Sequence, residues 1–213
     1  NSYNGSVECP AKTTRDINVS STLSGFYSLF ADKIELAAVD NSTEYTYINI
    51  SKAKATGINW SNTFKQNNWN ISAGAAYVGY YNQYKNDDVP VRGESKTFAW
   101  SPEINSNIIY NLPHIGGAIG LFYKYTGELP TYRIDDNDTL YLAKQGAFSN
   151  LDLTLTKKIG KYLNLQAGVK NIFNVTTLSN TTIGSTQAHG VGGGPVLQNY
   201  GRSWFVGILF QSP

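Results

Sequence analysis

Strict alternation of apolar and polar residues near the C-terminus constrains this chain more than any other feature. From Tyr162 the odd positions read Leu163, Leu165, Ala167 and Val169, then Asn171, Phe173 and Val175. The even positions read Asn164, Gln166, Gly168 and Lys170. A pleated strand sends successive side chains to opposite faces, so this segment has one apolar and one polar face. The preceding segment repeats the pattern, with Leu151, Leu153 and Leu155 against Asp152, Thr154, Thr156 and Lys158. A Gly-containing turn, Lys157 to Lys161, joins the two.

The same period runs upstream. Ile104, Ile108, Tyr110 and Leu112 alternate with Asn105, Asn107 and Asn111. Trp69, Ile71, Ala73, Ala75 and Tyr77 alternate with Asn70, Ser72 and Gly74. Ile119, Leu121, Tyr123 and Tyr125 share a face, and Ile17, Val19, Leu23, Tyr27 and Leu29 form a weaker case. Between Tyr45 and Phe64 the pattern is least clean, because Lys52 and Lys54 share parity with Ile48, Ile50, Ile58 and Trp60. A bulge, or strand ends standing above a bilayer, would account for it.

Eight strands are predicted, at 16–31, 44–65, 69–85, 97–111, 116–132, 147–159, 162–177 and 200–210. No segment has a helical period. Connections alternate between short, near Gln66, Pro113 and Gly160, and long, at 32–43, 86–96, 133–146 and 178–199. Short turns on one side and long loops on the other are the arrangement of an outer-membrane barrel. The strands exceed the roughly 9–11 residues that cross a bilayer, so they are expected to extend beyond it.

Composition agrees. Charged residues are only 15% of the chain and aromatics 13%, with 15 Tyr. Asn, Ser, Thr and Gly supply the polarity, which suits a neutral wet face opposite an apolar one. The net charge is +2 and the basic residues are scattered, so nucleic acid is not an expected partner. A soluble β-sandwich is the competing architecture, disfavoured by strand length, loop asymmetry and scarce charge. The single Cys9 and the two histidines make neither a disulfide nor a zinc site. The chain holds no Met, and no secretory leader precedes Asn1, which points to a processed product or a fragment.

Three stretches carry a family resemblance. They are Tyr47 to Trp60 (YINISKAKATGINW), Leu165 to Val175 (LQAGVKNIFNV) and Tyr200 to Gly207 (YGRSWFVG). Together they resemble the C-terminal strands of TonB-dependent outer-membrane receptors, with a Bacteroidetes flavour. The final run, in which Trp204, Val206, Ile208 and Phe210 share a face, is similar to the assembly signal of outer-membrane proteins, although Gln211-Ser212-Pro213 follows. The resemblance implies an all-β antiparallel transmembrane barrel of about 22 strands around a plug. Residues 1–213 would supply about eight C-terminal strands and no plug domain. A free-standing eight-stranded barrel is the alternative.

The implied function is uptake of a scarce nutrient: a siderophore, haem, a corrinoid or an oligosaccharide. The alternatives are a porin or structural anchor, and a soluble glycan-binding domain. Implied partners are the rest of the barrel with its plug, the TonB complex acting through that plug, and outer-membrane lipid. A surface lipoprotein is a candidate partner. The implied location is the bacterial outer membrane.

No catalytic constellation is present, so no enzyme activity and no cofactor are expected. The glycines from Gly190 to Gly194 lack the Lys-Ser/Thr ending of a phosphate loop. In the long loop 178–199 and just beyond it, Gln187, His189, Tyr200 and Arg202 are the candidate ligand contacts. His189 is a candidate contact to haem iron or corrinoid cobalt, with a solvated loop histidine as the plainer reading. Asp135, Asp136 and Asp138 are a weaker candidate for Ca²⁺, and an acidic solvent loop is the plainer reading. Trp60 and Trp69, flanking one short turn, and Trp100, Tyr123 and Tyr125 towards the other side, are expected to form interface girdles.

Overall fold

The computed structural model describes residues 2–14, 17–39, 44–83, 96–134, 137–182, 194–197 and 200–210. Thirteen strands lie within them. They are β1 (Ser2–Thr14), β2 (Ile17–Val39), β3 (Tyr45–Gln66), β4 (Trp69–Gln83), β5 (Lys96–Leu112), β6 (Gly117–Thr126) and β7 (Leu129–Ile134). Then come β8 (Leu140–Gln145), β9 (Phe148–Ile159), β10 (Leu163–Lys170), β11 (Thr177–Thr182), β12 (Gly194–Leu197) and β13 (Ser203–Phe210). Apart from one 3-10 turn, Pro113–Ile115, the other described residues form turns and loops.

Nine of these strands form a continuous antiparallel wall, in the order β1, β2, β3, β4, β5, β6, β9, β10, β13. The expected eight are all in it. The ninth, β1, precedes them; the sequence there reads as loop because Asn, Ser and Gly outnumber apolar residues, yet Tyr3 and Val7 pair with Tyr27 and Leu23. The wall is open: β1 and β13 stand at its two edges and do not pair with each other.

Two predicted strands end early. The strand expected at 116–132 breaks at Gly127, where the backbone N–H turns to donate to the Pro102 carbonyl. Its continuation is β7, which pairs as a hairpin with β8, a strand inside the expected loop 133–146. The strand expected at 162–177 stops at Lys170, because Asn171 adopts a left-handed φ of 52°. In the long loop that follows, β11 pairs with β12 and with β8.

Cross-strand register shows what the alternation builds. Val19, Phe64, Ile71, Ile108, Leu121, Leu153, Val169 and Trp204 lie in one row across eight strands. The neighbouring row on the opposite face holds Ser20, Thr63, Ser72, Asn107, Phe122 and Asp152. Among the described strand residues from Ile58 to Ile119, every exposed large apolar side chain lies on the first face. Exposure reaches 81% at Val206 and 82% at Phe210. An apolar face this continuous is unfavourable in water and favourable in lipid, at roughly 1.5–3 kcal/mol per large side chain covered. The polar face is therefore the lumen side.

The short turns are staggered. Gln66 pairs with Trp69, which pairs with Tyr110; the next turn closes two residues further on, at Leu112 and Gly117. Gly117 pairs with Lys157, and the third turn again closes two residues further, at Ile159 and Leu163. The turn joining β1 and β2 is level with the first of these, since Ile17 pairs with Gln66. A stagger tilts strands against a barrel axis and is what lets a sheet curve towards closure.

The uneven segment of β3 also has an explanation. Register between β2 and β3 continues unshifted past Asp32, but Asp32 takes a φ of 52°. Beyond it Ile48 and Ile50 are buried with the lumen-side Ala53, while Lys52 and Lys54 remain exposed. The two isoleucines serve a small apolar core at the outer end with Ala37, Tyr132 and Leu140, outside the apolar band.

Phenylalanines on the lumen face have a local cause. Phe205 lies across Gly168 of the paired strand, with Lys170 Nζ 5.6 Å from the ring centroid. A Cβ on Gly168 would sit 2.6 Å from the ring and collide with the Leu153 carbonyl. Phe26 covers Gly57 in the same way. Gly168→Ala is expected to lower barrel stability by about 1–3 kcal/mol, read as a shifted midpoint for loss of the heat-modifiable gel band. An unchanged midpoint would show that the ring moves aside freely.

Candidate functional site: the lumen face and its outer end

The lumen face presents hydroxyls and amides. Thr22, Ser61, Gly74, Asn105, Lys124 and Asn150 form one of its rows. Ser24, Asn59, Ala76, Glu103 and Thr126 form the next row outward. A hollow of about 560 Å³ on this face is lined in part by Asn4, Ser6, Phe26, Asn59, Glu103 and Asn105. Such a surface offers many uncharged hydrogen-bonding groups. Among the described residues no three His, Cys, Asp or Glu side chains converge on a possible metal position.

At the head of β10 the chain makes a polar clasp. Asp152 Oδ1 accepts the Asn171 N–H at 2.7 Å. The Asn171 side chain closes a ring on Val175: Nδ2 donates to its carbonyl at 2.9 Å, and Oδ1 accepts its N–H at 2.9 Å. Asn171 is only 3% exposed, so these bonds are sheltered. Asn174 also takes a left-handed φ, 56°, and its Oδ1 accepts the Arg202 N–H at 2.9 Å. Arg202 reaches back with Nη2 and Nε to the Ile172 carbonyl, at 2.6 and 3.1 Å. Gly201, at φ 84°, passes so close that a Cβ would lie 2.9 Å from Asn174 Oδ1. The run from Asn171 to Asn174 and the Gly-Arg of the final segment thus meet, tying the root of the long outer loop to the wall.

The expected contact residues separate accordingly. Gln187 and His189 lie outside the described residues, as do Asp135 and Asp136. Asp138 sits in an exposed turn with φ 56°. The Tyr200 ring is fully exposed beside the clasp, and Arg202 is engaged with main chain. Sequence reasoning missed Asn174 as a partner of Arg202, and Asn171 with Asp152 as the rest of the clasp; the signal was Asn at two positions where alternation would have continued the strand.

The aromatic residues fall at three levels. Trp69 pairs with Tyr110 beside the short turns, their rings 4.6 Å apart. Trp60 shares a row with Ala75, Ile104 and Tyr125, so it sits with the outer group and not with Trp69. Nearness to the turn in sequence is misleading in strands this long. Its Nε1 donates to Ser21 Oγ at 3.0 Å. Tyr123 is one row below Tyr125 on that face and shares a hydrogen bond with Ser149. Trp100, further out, stacks on Tyr77 at 4.7 Å and 5°.

No curated protein and no solved structure matches the chain. The family model described as TonB dependent receptor-like, beta-barrel matches residues 1–172. That match spans most of the nine-strand wall, and its family serves outer-membrane transport. With one face built for lipid and the other for a wet lumen, the chain belongs to the TonB-dependent receptor-like β-barrel family.

Proposed function

We propose that residues 1–213 form the C-terminal part of the wall of an outer-membrane receptor that imports a scarce, large nutrient, with a plug supplied by the rest of the receptor and driven by the TonB complex. The observation that carries this reading is the open, staggered wall with a lipid face and a neutral lumen face. A free-standing small barrel would need β13 to pair with β1, and these strands stay apart. Ligand would be met first by the outer loops, with Gln187, His189, Tyr200 and Arg202 as its candidate contacts. Trp69 would mark the periplasmic interface, and Trp60, Trp100, Tyr123 and Tyr125 the outer one. The ligand class stays at siderophore, haem, corrinoid or oligosaccharide, and a surface lipoprotein is a candidate partner.

The test is purification from outer membranes in mild detergent, followed by intact masses of every chain. The expected result is either one longer polypeptide containing these residues or a co-purifying chain that bears a plug. A lone chain of 213 residues, folded and heat-modifiable, would overturn the receptor reading.

A further inference from the structure

On its lipid side β3 is uncharged for most of its length. Outward from Gln66 that side holds Phe64, Asn62, Trp60, Ile58 and Thr56. Their row partners, from Val19 to Tyr27 on β2 and from Ile71 to Gly79 on β4, are uncharged as well. The next two positions on the same side are Lys54 and Lys52, both exposed. At about 3.3 Å per residue and a tilt of about 40°, Lys54 stands about 30 Å outward of Gln66, and Lys52 about 35 Å. The apolar band of such a barrel is about 25 Å tall. With its inner edge beside the Trp69 and Tyr110 rings, both ammonium groups clear the hydrocarbon and stand at the level of the outer headgroups.

Lys54 is held in place. Its Nζ lies 5.4 Å from the ring centroid of Tyr81, its row partner on β4. The aromatic face restrains an ammonium on a long, flexible stem. Among the described residues neither Lys52 nor Lys54 forms an ion pair. Lys33, one row further out on β2, is committed to Glu35 at 2.9 Å. Two uncompensated charges, about 7 Å apart along one strand, therefore border the lipid at headgroup depth. We propose that Lys52 and Lys54 bind a phosphate group of an outer-leaflet glycolipid. A phosphate accepts from both ammonium groups, and an anionic membrane surface attracts basic side chains at this depth. The lysines that interrupt the alternation of β3 are then a lipid contact. The site rests on the outer-membrane setting and on which face meets lipid, and not on import or on any nutrient.

The experiment takes the receptor purified from outer membranes in mild detergent, titrates it with bisphosphorylated lipid A, and counts bound lipid by native mass spectrometry. The native protein should bind lipid A at least about tenfold more tightly than the same lipid with its phosphates removed. Lys52→Gln with Lys54→Gln should abolish that preference, and Lys52→Arg with Lys54→Arg should retain it. Lys65→Gln, on the polar face at the inner end of the same strand, should leave it unchanged. If the double glutamine variant loses its heat-modifiable barrel, each single variant should lower the preference about fivefold. Equal binding of the two lipids by the native protein would overturn the proposal, as would a preference that survives the glutamine variants. Displacement of lipid A by millimolar inorganic phosphate would overturn it too, because the site would then hold a free anion. A lone, folded chain would sink import and leave this site standing, so the two failures are distinct.

Discussion

Leu121→Arg is expected to destabilise the folded receptor in lipid vesicles by about 2–4 kcal/mol, whereas Asn107→Arg should change it by about 1 kcal/mol or less. Leu121 lies in the middle of the apolar row, between Ile108 and Leu153. Asn107 lies one row away on the neighbouring strand but on the other face, paired with Phe122 and Ser72. The two substitutions therefore add the same charge at nearly the same depth. Only the medium differs: a guanidinium in hydrocarbon loses its hydration, while one in the lumen keeps it. Urea unfolding followed by the heat-modifiable band measures both. Equal costs would mean that neither face meets lipid. A larger cost for Asn107→Arg would reverse the assignment of inside and outside.

Asn171→Ala should cost about 3–4 kcal/mol. Two terms contribute. Truncation leaves the Val175 N–H and carbonyl without their side-chain partners in a sheltered position. In addition, alanine must adopt the φ of 52° that asparagine tolerates. Asn171→Gly separates the terms, since glycine accepts that φ freely but makes no side-chain bonds; it should recover about 1 kcal/mol. Thermal midpoints in detergent decide the matter. A loss for Asn171→Ala below about 1 kcal/mol would mean that Asp152 and Arg202 hold the clasp without the Asn171 side chain.

Much of the wall was legible because alternation is a direct imprint of two media on one strand. The rows through Leu121 and Leu153 could be assigned to a face from the sequence alone. β1 was not legible, since Asn4, Gly5 and Ser6 are turn residues by composition and only pairing with Phe26, Gly25 and Ser24 makes them strand. The break after Thr126 was hidden because alternation resumes in β7 after a change of direction. Arg202 read as a candidate ligand contact just beyond the long loop, and its bond to the Ile172 carbonyl depends on two left-handed asparagines whose φ values no pattern encodes. The outer apolar core was unreadable for a related reason. Ile48 and Ile50 match the lipid-facing parity, yet beyond Asp32, with its φ of 52°, they are buried in the outer cluster.

The two-residue step between the last three short turns behaves like the pitch of a screw thread. Each of these two steps advances the wall by the same amount, whereas the turn joining β1 and β2 is level with the turn joining β3 and β4, Ile17 pairing with Gln66. Any closed wall must absorb the accumulated advance at the seam where its first and last strands meet. Circumference and pitch are therefore one quantity seen from two directions. Whatever strands complete this wall must arrive at β1 and β13 already carrying the same pitch. A completing segment offset by one residue would meet those edges with its apolar side chains facing water and its polar ones facing lipid.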